Sequence, residues 1–236
     1  MNPIKLLLRA RISYIIFLGI IFSLVPTFNV IAQCSLSDWT PEDSSGKLNI
    51  TCRGDTMEIS SPGGLSLWYN QRLTGNYEIS YSIRFLMEGG TYDRLSDLNC
   101  FWGANDPLHP NDFFARSDWR QGVFTNYNSL NLFYVGYGGN HNKTTRFRRY
   151  HSEYYGVNED KVRPVIKEYT DSEHLLKEKT WYNIRILVES NSTSYYINGE
   201  KLFQYSIGEK EADGYFALRL LKSHTLFTGF KIKQTN

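Results

Sequence analysis

Arg146, Arg148 and Tyr150 fall at every second position of the run TTRFRRYH, residues 144–151. In an extended chain all three side chains stand on one face, because strand side chains repeat with a period of two. Two guanidiniums so spaced can clamp a carboxylate through paired N–H donors. A phenol in phase with them can move a proton, and neighbouring cations make its phenolate easier to reach. The combination suits proton abstraction from a carbon that carries a carboxylate, where the second negative charge building on that group must be neutralised. Such a reaction needs a second proton-transfer group. His174 is the candidate, with His109 and His151 in reserve; His151 is out of phase with Tyr150.

These residues close a longer stretch, 97–151, in which aromatic, amide and guanidinium side chains interleave at a density that neither a solvated surface nor an apolar core needs. Asn99, Asn140 and Asn142 are neutral donors for a ligand, and His109 belongs with them. Phe101, Trp102, Tyr134 and Tyr137 are either platforms for a sugar ring or plain core. Arg219 stands opposite the apolar phase of Gly214–Leu221 and faces either the same ligand or a surface partner. The set reads as the polar wall of a carbohydrate cleft. No cofactor is expected. No Cys/His spacing suits zinc, but Asp106, Asp112 and Asp118 are loop carboxylates of the kind that hold a structural calcium.

Period-two runs bounded by turn residues recur along the chain and supply the elements that must position this wall. They cover 47–52, 56–60, 65–69, 77–87, 98–104, 130–137, 144–151, 180–189, 192–197, 200–205, 214–221 and 225–233. Pro62-Gly63-Gly64 reads as a turn, and Asn198-Gly199 as a hairpin. Only 171–179 suits a short helix, with Asp171 or Ser172 as its cap. With 15% aromatic residues and no βαβ rhythm, the expected fold is all-β, a two-sheet antiparallel sandwich of jelly-roll type.

Residues 1–32 read as a signal peptide: Lys5, Arg9 and Arg11 precede the apolar run 12–25, and Val30-Ile31-Ala32 offers a cleavage site. A retained anchor and a lipoprotein at Cys34 are the alternatives. Export to the periplasm, or to the surface or beyond, leaves residues 33–236 as one domain without a membrane span. Cleavage takes three cations and no acid, so the formal charge moves from +2 to −1. That balance gives no footprint for nucleic acid. Cys34 and Cys52 flank a first hairpin and can pair, whereas Cys100 lies among apolar neighbours and reads as a buried thiol.

The succession NYEISYSIRF, DLNCFWGAND, YVGYGGNHNKTTRFRRY, KTWYNIRILVES, YYINGEKLFQY and GYFALRLL…FTGFKI resembles the concanavalin A-like jelly-roll proteins of bacterial polysaccharide-utilisation loci, over about residues 60–233. Within that group it is most similar to the oligosaccharide dehydratases of ulvan breakdown. The resemblance implies a carbon–oxygen lyase that removes water from the terminal uronic acid of an oligosaccharide and leaves a 4,5-unsaturated uronate. Two other functions stay open: a polysaccharide lyase, in which a sugar leaves C4 instead of water, and a non-catalytic binder of acidic carbohydrates. Paired-carboxylate hydrolysis is less well served, because 97–151 offers aspartates but no glutamate on a groove strand.

Overall fold

The computed structural model describes residues 34–235, so the expected signal peptide lies outside the described residues. Among the described residues twelve strands carry the fold: β1 (Trp39–Asp43), β2 (Asn49–Arg53), β3 (Thr56–Tyr69), β4 (Tyr77–Phe85), β5 (Leu98–Asn105), β6 (Asn131–Gly138), β7 (Thr144–Tyr150), β8 (Val165–Tyr169), β9 (Tyr182–Glu189), β10 (Ser192–Ile197), β11 (Glu200–Ser206) and β12 (Tyr215–Gln234). Every pairing is antiparallel. The described residues fall within one compact unit, Ile31–Asn236. Among them no helix is long and apolar enough to cross a membrane.

Two strands belong to both layers. The first half of β12 pairs with β5 and with the second half of β3, while its second half pairs with β4 and the first half of β3. One layer therefore runs β1-β3-β12-β5-β6-β7-β8, and the other β2-β3-β12-β4-β9-β10-β11. The crossing is marked by a register shift between Leu221 and Ser223. Pro62-Gly63-Gly64 lies at the same crossing inside a continuous β3, not in a turn as expected. Proline is tolerated where ladder pairing lapses, and a Cβ on Gly64 would run into the Gly122 carbonyl and the Arg219 guanidinium.

The alternation in β4 delivers Ile79, Tyr81, Ile83 and Phe85 to the main core between the layers. Phe133, Val135, Tyr137, Phe147 and Trp102 meet them from the other layer. A second, smaller cluster lies on the outer face of that layer: Trp68, Phe101, Tyr134, Tyr150 and Ala217, roofed by Phe113, Tyr127 and Leu130 from the connection 106–130. Asn198 and Gly199 both take positive φ in the expected hairpin. Of the expected helix only the turn Ser172–His174 forms, capped by Asp171. Cys34 and Cys52 are joined in a disulfide and Cys100 is a buried thiol. The disulfide occupies the sulfur that lipid attachment at Cys34 would need.

Candidate functional site

The outer face of the β5-β6-β7 layer holds a cleft of about 230 Å³. Parity builds its floor. In β5, Asn99 faces out while Cys100 and Trp102 face the core, and in β6, Tyr134 and Gly136 face out while Phe133 and Val135 face in. In β7, Arg146 and Arg148 line the cleft, and from β12 Arg219 joins them. The walls are Asp97 before β5, Phe124 from the covering connection, Asn140 from the turn between β6 and β7, Thr144 at the start of β7, Arg163 before β8, and Leu221.

Charge is what distinguishes this cleft. Arg146 pairs with Glu168 on the neighbouring strand. Arg148, Arg163 and Arg219 form no ion pair with any carboxylate among the described residues, although Arg148 donates to the Arg163 carbonyl. Arg219 is only 4% exposed, and its Nη1 is buried without a hydrogen-bond partner. Its guanidinium lies 5.3 Å from the Phe124 ring centroid and 5.6 Å from that of Tyr127. Burial depresses the pKa of Arg219 and of Arg148 below the usual guanidinium value, since removal from water penalises the charged form. Asn99 Oδ1 is a further buried atom without a partner. A buried, unanswered cation is costly unless an anion supplies the missing charge.

The two phenols sit at different depths. Tyr134 is 7% exposed, and its hydroxyl lies over Gly136, where any Cβ would overlap it. Burial holds its pKa well above the ordinary tyrosine value, with Arg219 and Arg148 acting in the opposite direction. Tyr150 is fully buried behind the cleft surface, with its ring 6.0 Å from that of Tyr134. Its hydroxyl meets no partner at full hydrogen-bonding geometry, although the Arg163 side chain lies close enough to act on it as a donor. Burial raises its pKa; Arg163 and Arg148 pull it down without prevailing. The sequence-based expectation that nearby arginines ease its ionisation is therefore corrected: desolvation is the larger effect.

Several expected site residues are carried elsewhere. His174 lies on the far side of β7, its Nδ1 2.6 Å from Asp171 Oδ1, its ring stacked on Tyr169 and its carbonyl accepting from Thr145 Oγ1. His109 borders a separate depression with Asn111 and Tyr215. Trp102 and Tyr137 are core residues by strand parity; Trp102 Nε1 donates to Thr193 Oγ1 at 2.9 Å. The Asn142 side chain is used by the backbone of Leu176, donating to its carbonyl at 2.9 Å and accepting from its N–H at 2.8 Å. That clamp holds an uncommon turn, in which Asn140, His141 and Asn142 all take φ between 53° and 58°. Left-handed backbone costs roughly 1–2 kcal/mol per non-glycine residue. The turn sets Asn140 on the cleft wall.

Arg163, Asp97 and Phe124 line the cleft without having stood out in the sequence. Asp97 takes φ 67° and is paired with Arg94 at 2.6 Å. Asp106 is engaged by Arg116 at 2.8 Å and Arg120 at 3.6 Å, and Asp112 caps the turn at Phe113–Arg116. Among the described residues no group of three or more His, Cys, Asp or Glu is placed to hold a metal ion.

Residues 59–230 match DUF6250, a domain of unknown function. No curated protein matches the chain. Among solved structures, a protein of unknown function with a galectin-like fold from Bacillus subtilis is similar over 84% of this chain and 90% of its own, with TM-score 0.63 and 14% identity. The carbohydrate-binding module CBM66 from Bacillus subtilis follows at TM-score 0.53 and 11% identity, over 84% and 96%. A Bacillus licheniformis beta-glucanase gives TM-score 0.51 and 12% identity, over 84% and 92%. At these identities the likeness shows the fold, a concanavalin A-like jelly roll.

Proposed function

We propose that this chain, which belongs to the DUF6250 family, binds the carboxylate of a uronic acid residue in its arginine cleft and eliminates water across C4 and C5 of that residue. The observation that carries the reading is Arg219, a buried guanidinium with no anion of its own, converging with Arg148 and Arg163. The solved neighbours that bind or cleave glycans make a sugar the natural carrier of the anion. A site that encloses a whole ligand usually measures about 300–1,000 Å³; at about 230 Å³ this one suits a single residue of a longer chain.

The chemistry divides among the lining residues. Arg148, Arg163 and Arg219 neutralise the carboxylate as proton loss from C5 adds a second charge to it. Asp97, the one acid among the described lining residues, takes the C5 proton in this reading. The C–H electron pair becomes the C4–C5 double bond, and the C4 oxygen departs with the electrons of its bond. Tyr134, kept protonated by burial, delivers the proton that turns the departing oxygen into water. Tyr150 lies behind this layer. Paired-carboxylate hydrolysis would need a second acid in the lining.

The resemblance to ulvan-fragment dehydratases names the first substrates to try. Oligosaccharides ending in glucuronate or iduronate should lose one water each without chain cleavage and gain ultraviolet absorbance. Tyr134→Phe should cut that turnover by about 10²–10⁴-fold while carboxylate binding persists. Shorter products would show a sugar leaving C4, which makes the protein a polysaccharide lyase. Binding with unchanged mass across the uronate panel would make it a non-catalytic module.

A further inference from the structure

At the end of the sandwich where β1, β3 and the second half of β12 meet, a groove of about 500 Å³ opens that the arginine cleft does not use. Its floor is aromatic. The Phe230 ring centroid lies 4.8 Å from that of Trp39 and 5.0 Å from that of Tyr69, with Trp39 and Tyr69 5.5 Å apart. Phe230 and Tyr69 are only half-buried. The rim sets Asp38 and Asp55 against Arg72 and Lys231, so its charges balance one for one. Asp38, Arg72 and Lys231 form no ion pair among one another or with any other described residue.

From this arrangement we infer a second binding site, specific for a neutral pyranose unit of a glycan. Tilted aromatic faces pack against the C–H face of a sugar ring, and a rim carrying donors and acceptors suits its hydroxyls. The balanced charge disfavours the acidic residue that the arginine cleft requires, so the two sites divide the ligand by charge. One wall of the groove is built by Cys34, Ser35 and Asp38. The Cys34–Cys52 disulfide and the Cys34 N–H, which donates to the Gly54 carbonyl at 2.7 Å, hold that wall in place. The groove thus depends on an oxidised disulfide, while the cleft does not.

The test is titration of the oxidised protein with neutral gluco-, xylo- and galacto-oligosaccharides, followed by calorimetry and tryptophan fluorescence. Saturable binding is expected that weakens about tenfold or more in Tyr69→Ala and on reduction of the disulfide. It should be unchanged in Arg219→Ala. Arg72→Ala, an exposed rim change, should also weaken it and replaces Tyr69→Ala if that variant does not fold. Absence of binding to all three classes overturns the inference, as does binding that survives the groove variants or is lost with Arg219→Ala. A failure here leaves uronate binding at the cleft intact, and the reverse also holds.

Discussion

Arg219 is kept at a cost. Its guanidinium is stripped of water and answered only by the faces of Phe124 and Tyr127, a contact worth about 2 kcal/mol when desolvated. Apolar replacement of buried charge is often neutral or stabilising. Arg219→Met should therefore raise unfolding stability by about 1 kcal/mol in denaturant titration, while uronate binding disappears from calorimetry. Equal losses of stability and binding would mark Arg219 as a structural residue. Tyr150→Phe removes a buried hydroxyl that meets no partner at full hydrogen-bonding geometry, with Arg163 its one donor neighbour; it should leave stability within about 1 kcal/mol and turnover within about tenfold, in contrast to Tyr134→Phe. The common face of Arg146, Arg148 and Tyr150 was legible from alternation alone. Their depths were not, because the cover over Tyr150 comes from 106–130, which has no period. Nor did any pattern mark Arg163, which sits in an irregular segment before Pro164.

Among the elements, β6 and its turn do most to shape the cleft. Gly136 is what lets the Tyr134 hydroxyl lie flat across the strand. Gly136→Ala should push that ring aside, costing about 1–3 kcal/mol of stability and reproducing the kinetic defect of Tyr134→Phe; full turnover in a folded Gly136→Ala protein would remove Tyr134 from the reaction. Most strands could be placed from their period. The exceptions have physical reasons, and β1 is one: WTPED has a proline at its centre and buries Trp39 and Glu42 three apart, so no period of two shows. β3 and β12 each pass from one layer to the other through small or polar residues, Pro62-Gly63-Gly64 and Lys222-Ser223, which in sequence look like breaks. β8 is an edge strand whose residues are mostly exposed, with Val165 and Ile166 both open to solvent, so it has no buried phase to read.

For the whole molecule, tyrosine burial sets the behaviour in base. Tyr77, Tyr81, Tyr127, Tyr134, Tyr150 and Tyr195 all have pKa values raised by burial. Their folded-state values exceed the unfolded value, so the native state retains protons that the unfolded chain releases. The tyrosine contribution is then level below about pH 10 and falls as pH rises past it, by up to about 1.4 kcal/mol per pH unit for each such tyrosine. Denaturant midpoints between pH 7 and 11 should show a plateau, a shallow fall from about pH 9 and a steep decline past about pH 10; a decline already under way near pH 7 would point to other groups. The Cys100 thiol, its pKa pushed up to about 12 by burial, opens that decline from about pH 9, because the unfolded chain releases this proton there and the native state keeps it.

β12 comes later in the chain than every other strand, yet β3, β4 and β5 all pair with it. Until it arrives, those three strands wait with open edges, and neither sheet has a spine. Folding must therefore be a late, whole-chain event, on the millisecond-to-second scale of topologies dominated by distant contacts. A chain whose spine strand comes last leaves three strand edges open for as long as that strand is missing, and those edges are where mispairing with other strands would begin.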